Sequence, residues 1–208
     1  MRFRVFAALE LPRENQERLG EVLAGLEAAA PPRTVHWVRP EAIHLTLKFY
    51  GDVAEADRPG IEAALAEAAA GARPLQLSLE GLGVFPNARR PQVVWTGLGG
   101  ELEPLLALQA ALAEKSAALG FAPEARAFVP HLTLGRIRGA LRPEEHITFM
   151  EHLSAHRADW FGEFRAEALS LVRSDPRPLG SVYTQLFAAS LGGQPAPPEA
   201  RARYRTDI

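Results

Sequence analysis

Two tetrapeptides of this chain are identical: His44-Leu45-Thr46-Leu47 and His131-Leu132-Thr133-Leu134. In an extended strand alternate side chains share a face. Each segment therefore presents a histidine and a threonine together, roughly 6.5–7 Å apart at the backbone, with its leucines on the other face. The leucines suit burial against helices. The polar face needs solvent, hydrogen-bond partners or a ligand. A single His-x-Thr is most often a half-exposed strand edge, so it is the recurrence that gives the pattern weight.

Two such faces, brought together about a pseudo-two-fold, would line one cleft with two imidazoles and two hydroxyls. That set suits displacement at phosphorus, where attacking and leaving oxygens lie in line on opposite sides. One side needs a base to take a proton from water. The other needs an acid to protonate the leaving alkoxide. Histidine can hold either form near neutrality. Threonine hydroxyls can donate to the non-bridging oxygens, whose charge must be held in the transition state. Neither step calls for a metal or another cofactor. The spacing does not say which histidine is acid and which is base.

The elements that must position these residues also repeat. The first copy reads as a strand (3–9), a helix (13–30), a short strand (34–38) and the strand bearing His44 (43–50). The second reads as a strand (92–98), a helix (101–119) and the strand bearing His131 (128–137). Thirty-nine residues separate Val5 from His44, and thirty-seven separate Val94 from His131. The matched order predicts two similar lobes. Between and after the copies the pattern predicts a helix over 56–70, a strand over 75–80 and a loop from Gly81 to Pro91. It then predicts a helix over 143–157 and a closing strand pair over 164–173 and 181–190. Residues 192–208, rich in Gly, Pro, Ala and Arg, read as a loose tail.

Composition narrows the functional classes. The chain has 208 residues, 47% of them hydrophobic, and a net charge of −2. That balance argues against a protein that coats long nucleic acid, though not against one that grips an end. With no cysteine, thiolate metal sites and cysteine nucleophiles are excluded. No signal peptide or membrane-crossing stretch is visible, so the expected location is cytoplasmic.

These segments and their flanks resemble the two-histidine (2H) phosphoesterases, and within them the RNA 2′,3′-cyclic phosphodiesterases, formerly called 2′-5′ RNA ligases. The resemblance runs from Arg2 to about Leu191. It rests on Trp37-Val38-Arg39-Pro40, Ile43-His44-Leu45-Thr46-Leu47-Lys48-Phe49, Gly83-Val84-Phe85-Pro86 and Phe128-Val129-Pro130-His131-Leu132-Thr133-Leu134-Gly135-Arg136. It implies an α+β, bilobal fold of mainly antiparallel sheet flanked by helices, with the site in the cleft between two pseudo-symmetric lobes. Residues 1–191 would form that single bilobal domain. It implies hydrolysis of an RNA-terminal 2′,3′-cyclic phosphate to a 2′-phosphomonoester, with 2′-5′ joining as the reverse. By that family's assignment His44 matches the proton donor and His131 the proton acceptor. Thr46 and Thr133 match the phosphate-holding hydroxyls. The expected partners are RNA ends bearing the cyclic phosphate, tRNA fragments among them, with the protein a monomer. Two alternatives are an RNA-end-binding module without turnover and a phosphodiesterase for another cyclic phosphate, such as ADP-ribose 1″,2″-cyclic phosphate.

Other residues carry plainer readings beside functional ones. Arg136, three past Thr133, falls on the opposite face of a regular strand, yet at the strand end it is a candidate for phosphate. Arg89 and Arg90 could touch an RNA backbone, although a solvated loop is the plainer reading. Phe49 or Tyr50 could stack a base, with one of the two in the core. Trp37 and Trp95 read as core. His152 and His156 have the spacing of a helical metal pair but lack a zincin glutamate, so an exposed helix face is expected. His36 and His146 stand out in no pattern. Gly97-Leu98-Gly99-Gly100 lacks the third glycine of a dinucleotide loop and reads as a turn.

Overall fold

Prolines and apolar spacing set the element boundaries. In the computed structural model, which describes residues 2–139, 141–177 and 180–193, the apolar run at the start forms β1 (Arg2–Glu10) and Pro12 opens α1 (Arg13–Ala29). There follow β2 (Val35–Trp37), β3 (His44–Ala54), α2 (Arg58–Ala70), β4 (Leu75–Phe85), β5 (Val93–Gly100), α3 (Leu102–Ala118), β6 (His131–Ile137), α4 (Pro143–Ala155), β7 (Trp160–Ala166), β8 (Ala168–Asp175) and β9 (Val182–Ser190). Proline stands in the first turn of α2 and of α4, where its missing N–H costs nothing. The helices bury leucines at helical spacing: Leu19, Leu23 and Leu26 on α1, and Leu105, Leu108 and Leu112 on α3. The tail, 192–208, lies outside the described residues apart from its first two.

Among the described residues the strands form one antiparallel sheet in the order β7-β4-β5-β6-β3-β1-β8-β9, with β2 added beside β6. The two halves mirror each other. In one, β3 pairs with β1 and β1 with β8; in the other, β6 pairs with β5 and β5 with β4. The halves meet at a single backbone pair, Leu45 to Leu132. Beyond it β2 takes over the edge of β6, pairing Val35 with Ile137 and Trp37 with Gly135, and β3 is displaced.

The chain path forces this sheet to curl. β7 and β8 are six strand positions apart, which in a flat sheet would be about 29 Å. Yet only Glu167 joins them, and one residue bridges about 7 Å. The sheet ends must therefore swing toward each other. The leucine faces of all the central strands join one core with the helices, including Leu45, Leu47, Leu132 and Leu134. The opposite, concave face carries a small separate cluster of Phe6, Ala8 and Val172, against which Tyr183 packs. The lobes are laced together by exchange of helices. Asn15 of α1 donates to the Glu163 carbonyl on β7, while Tyr50 of β3 shares a hydrogen bond with Ser116 of α3.

Three expected boundaries change. The strand predicted over 164–173 is two strands, β7 and β8, lying in opposite halves of the sheet. Apolar pattern alone does not show the break at Glu167. The loop predicted from Gly81 begins only after Phe85. Gly81, at φ 67°, sits where the register shifts by one residue, and Gly83 leaves room for the Trp95 ring, which would lie 2.3 Å from a methyl there. Both glycines serve a strand interior. The strand bearing His131 starts at His131 itself, three residues later than expected.

Gly135 is needed for the junction. A methyl at this position would stand 2.7 Å from the Trp37 ring and 2.8 Å from Val35. Gly135→Ala is predicted to cost about 1–3 kcal/mol by overpacking, read as a lower urea midpoint with unchanged slope. A midpoint equal to the parent's would contradict the tight β2–β6 contact.

Candidate active site

The pair Leu45–Leu132 places four polar side chains on one surface. Both leucines point into the core, so their strand neighbours point to the concave face. Antiparallel register then sets His44 across from Thr133, and Thr46 across from His131. The two histidines are diagonal neighbours, about 7–8 Å apart at the backbone in sheet geometry. All four side chains are partly exposed. The structure thus brings together the whole set of His44, Thr46, His131 and Thr133.

Both imidazoles are held in the same way. His44 Nδ1 lies 2.8 Å from the Ala42 carbonyl, and His131 Nδ1 lies 2.8 Å from the Val129 carbonyl. A carbonyl can only accept, so each Nδ1 carries the hydrogen. Each neutral ring then offers Nε2 as a proton acceptor. Aromatic walls fix the ring planes. His44 stacks on Phe6 at 4.5 Å and meets the Tyr183 ring edge-on at 5.1 Å. His131 meets Phe85 edge-on at 4.9 Å, with Trp95 at 6.4 Å. Each such ring contact contributes about 0.5–1.5 kcal/mol. Trp95, expected in the core, instead forms the floor of the cleft beside Thr133. The extension of β4 is what carries Phe85 to His131.

The two histidines differ in their surroundings. Burial behind Phe6 and Tyr183 lowers the pKa of His44 to about 4, and the hydrogen bond to Ala42 offsets this only in part. At neutral pH, in the free protein, His44 is uncharged. Tyr183 beside it is raised above the ordinary tyrosine value by burial, partly offset by the Arg136 guanidinium and a hydrogen bond from Ser181.

Arg136 reaches this face because β6 is bulged. Trp95 pairs with Thr133 and Val94 with Gly135, so Leu134 is an extra residue in β6. The alternation resets, and Arg136 emerges exposed on the side of His131 and Thr133. The regular-strand expectation that placed it on the opposite face is thereby corrected. β3 carries the same bulge at Leu47, which turns Phe49 onto the concave face, 6.0 Å from Phe6 and 56% exposed, while Tyr50 is buried. The two strands even share the order of exposure from histidine to the sixth residue. His36, which stood out in no pattern, pairs across from Arg136 and so shares its face. Strand pairing alone reveals it. His152 and His156 lie ring to ring at 4.9 Å, and His156 Nδ1 donates to Asp159. His146 gains no role from its position.

Compared with known proteins, two stretches of the chain, 9–95 and 100–183, match the model of the family described as LigT like Phosphoesterase. Each stretch holds one of the two histidines. A protein of Methanothermobacter thermautotrophicus named RNA 2′,3′-cyclic phosphodiesterase is 35% identical over 189 residues, covering 89% of this chain and 97% of its own. One of the same name from Thermus thermophilus is 32% identical, covering 92% and 91%. The crystal structure of TT0787 of Thermus thermophilus superposes with a TM-score of 0.72 at 31% identity, over 92% of this chain and 99% of that one. The structure of E. coli LigT with 3′-AMP gives the same TM-score at 23% identity, over 92% and 99%, a likeness of fold.

The His44 ring, half-buried behind Phe6 and Tyr183, links stability to pH. The unfolded chain takes up this proton near pH 6.5, the folded chain only near pH 4. Stability is therefore complete above pH 6.5 and falls as pH drops to 4, by at most about 3 kcal/mol from this group. NMR titration of the free protein is predicted to give His44 a midpoint near 4. A midpoint at or above 6.5 would contradict the burial.

Proposed function

The chain belongs to the LigT-like phosphoesterase family, and on that premise we propose that it hydrolyses the terminal 2′,3′-cyclic phosphodiester of RNA to a 2′-phosphomonoester. The observation that carries this reading is the pair of imidazoles on one face, each pinned by Nδ1 to a carbonyl two residues back. His131 takes a proton from water as its oxygen bonds to phosphorus. The bond from phosphorus to O3′ breaks, and His44 gives its proton to O3′. Thr46 and Thr133 donate to the non-bridging oxygens as charge builds there. Arg136, on the same face, adds a fixed positive charge beside them. With a 5′-hydroxyl in place of water, the same in-line step joins ends through a 2′-5′ bond.

The proton on His44 arrives with the substrate. Free His44 is neutral at pH 7, and an anionic diester within about 4–6 Å favours the imidazolium. A surface built only to hold phosphate needs donors alone and gives no reason to pin two imidazoles by the same backbone contact. Binding without turnover is disfavoured for that reason. Phe49, exposed beside Phe6, offers a flat apolar face on the same surface. Residues 1–191 act as one bilobal unit in this reading. The partner is RNA with cyclic-phosphate ends, tRNA fragments among them, met by a cytoplasmic monomer. No helix among the described residues is long and apolar enough to cross a membrane.

His44→Ala and His131→Ala are each predicted to abolish turnover of a cyclic-ended oligonucleotide while leaving the thermal transition cooperative. Full activity in either variant would sink the assignment. EDTA is predicted to leave the rate unchanged. The pH profile of kcat should be bell-shaped, reporting one protonated and one neutral imidazole in the bound complex; a rate flat from about pH 5 to 9 would contradict the acid–base pair.

A further inference from the structure

Three segments of backbone are tied together at the far end of β6. Arg138 N–H donates to the Thr34 carbonyl, and Ile137 N–H to the Gln92 carbonyl. Gln92 N–H in turn donates to Phe85, and Asn87 Oδ1 accepts from the N–H groups of Arg89 and Arg90. This junction gathers Arg33, Arg89, Arg90 and Arg138, with Arg136 between them and the histidines. All five are exposed. None has a carboxylate within ion-pair distance among the described residues. Elsewhere on the surface Arg13, Arg18, Arg58, Arg73, Arg142, Arg165 and Arg173 are each paired with one; among the described residues Arg2, Arg4, Arg39, Arg126 and Arg157 also lack one, but they lie outside this junction.

The charge is segregated in sequence as well. The chain has 25 acidic residues against 23 Lys and Arg, yet no Asp or Glu occurs in 28–40, 81–100 or 125–143. These stretches supply the junction. A protein of slight negative charge thus keeps one positive edge, continuous with its phosphate site. From Thr133 to Arg138 that edge runs about 15 Å along β6, well beyond the reach of one terminal phosphate.

We propose that this edge is a track for the sugar–phosphate backbone of a single RNA strand, and that it makes the protein select polynucleotide ends over cyclic mononucleotides. The inference rests on the cyclic phosphodiesterase reading above. Guanidinium forks fit phosphate oxygens. Four unpaired arginines gathered at one end of β6 supply affinity without reading bases, so the track holds any sequence that ends in the reactive phosphate. It explains how a chain of net negative charge can hold a polyanion.

The test compares the parent with R33Q/R89Q/R90Q/R138Q on two substrates: 2′,3′-cyclic CMP and an oligonucleotide of about ten nucleotides with the same terminus. The variant is expected to match the parent on the mononucleotide and to lose most of the advantage in kcat/KM on the oligonucleotide. Raising salt from 50 to 200 mM should cost the parent about 50-fold more than the variant, as four phosphate contacts on a single strand would give. Equal loss on both substrates, or no loss on either, overturns the track. If the parent turns over neither substrate, the phosphodiesterase reading itself fails. Anisotropy of a labelled oligonucleotide ending in a 3′-phosphate then judges the track alone, and equal affinity and salt slope in both proteins would overturn it.

Discussion

One backbone pair, Leu45 with Leu132, is the joint on which the site depends. Because the pairing is antiparallel, it is also the local two-fold axis: what lies before Leu45 on one strand faces what lies after Leu132 on the other. Histidine meets threonine on each side, and the histidines sit diagonally across the axis. Sliding either strand by one residue would send that strand's histidine into the core and bring its leucines to the cleft. Burial of Leu45 and Leu132, both fully inaccessible, makes such a slip costly. The cleft register is therefore held by hydrophobic burial on the opposite face of the same strands.

The two halves are alike in backbone and different in electrostatics. Each histidine is held by a carbonyl two residues back, and each strand bulges after its second leucine. The bulges aim different residues, Phe49 on one side and Arg136 on the other. The walls differ too, with Phe6 and Tyr183 around His44 and Phe85 and Trp95 around His131. The duplicated strands thus set matching imidazoles in unequal surroundings, and burial behind Phe6 and Tyr183 lowers the pKa of His44.

Much of this was legible in the sequence because alternation is a strong signal on half-buried strands. The four polar positions of the twin segments, their leucine backs and the matched order of elements all follow from period two and from repetition. What was not legible depended on irregularity or on distant pairing. The bulge at Leu134 inverted the expected direction of Arg136, and nothing in the sequence around Gly135 announces it except the glycine itself. Trp95 looked like core because its strand is apolar, yet its ring lies on the concave face over Gly83. His36 came to the site only through β2 pairing with β6. The break at Glu167 separates strands that local pattern joins, because the curl that brings the sheet ends together is a property of the whole chain path.

The central claim is that two backbone carbonyls present two Nε2 atoms to one phosphate. Long-range proton–nitrogen correlation spectra of the free protein at neutral pH read the ring tautomers directly. The account predicts the Nδ1–H tautomer for the neutral rings of both His44 and His131. An Nε2–H tautomer on either ring would contradict it, since that ring could no longer accept a proton from the cleft while held by its carbonyl.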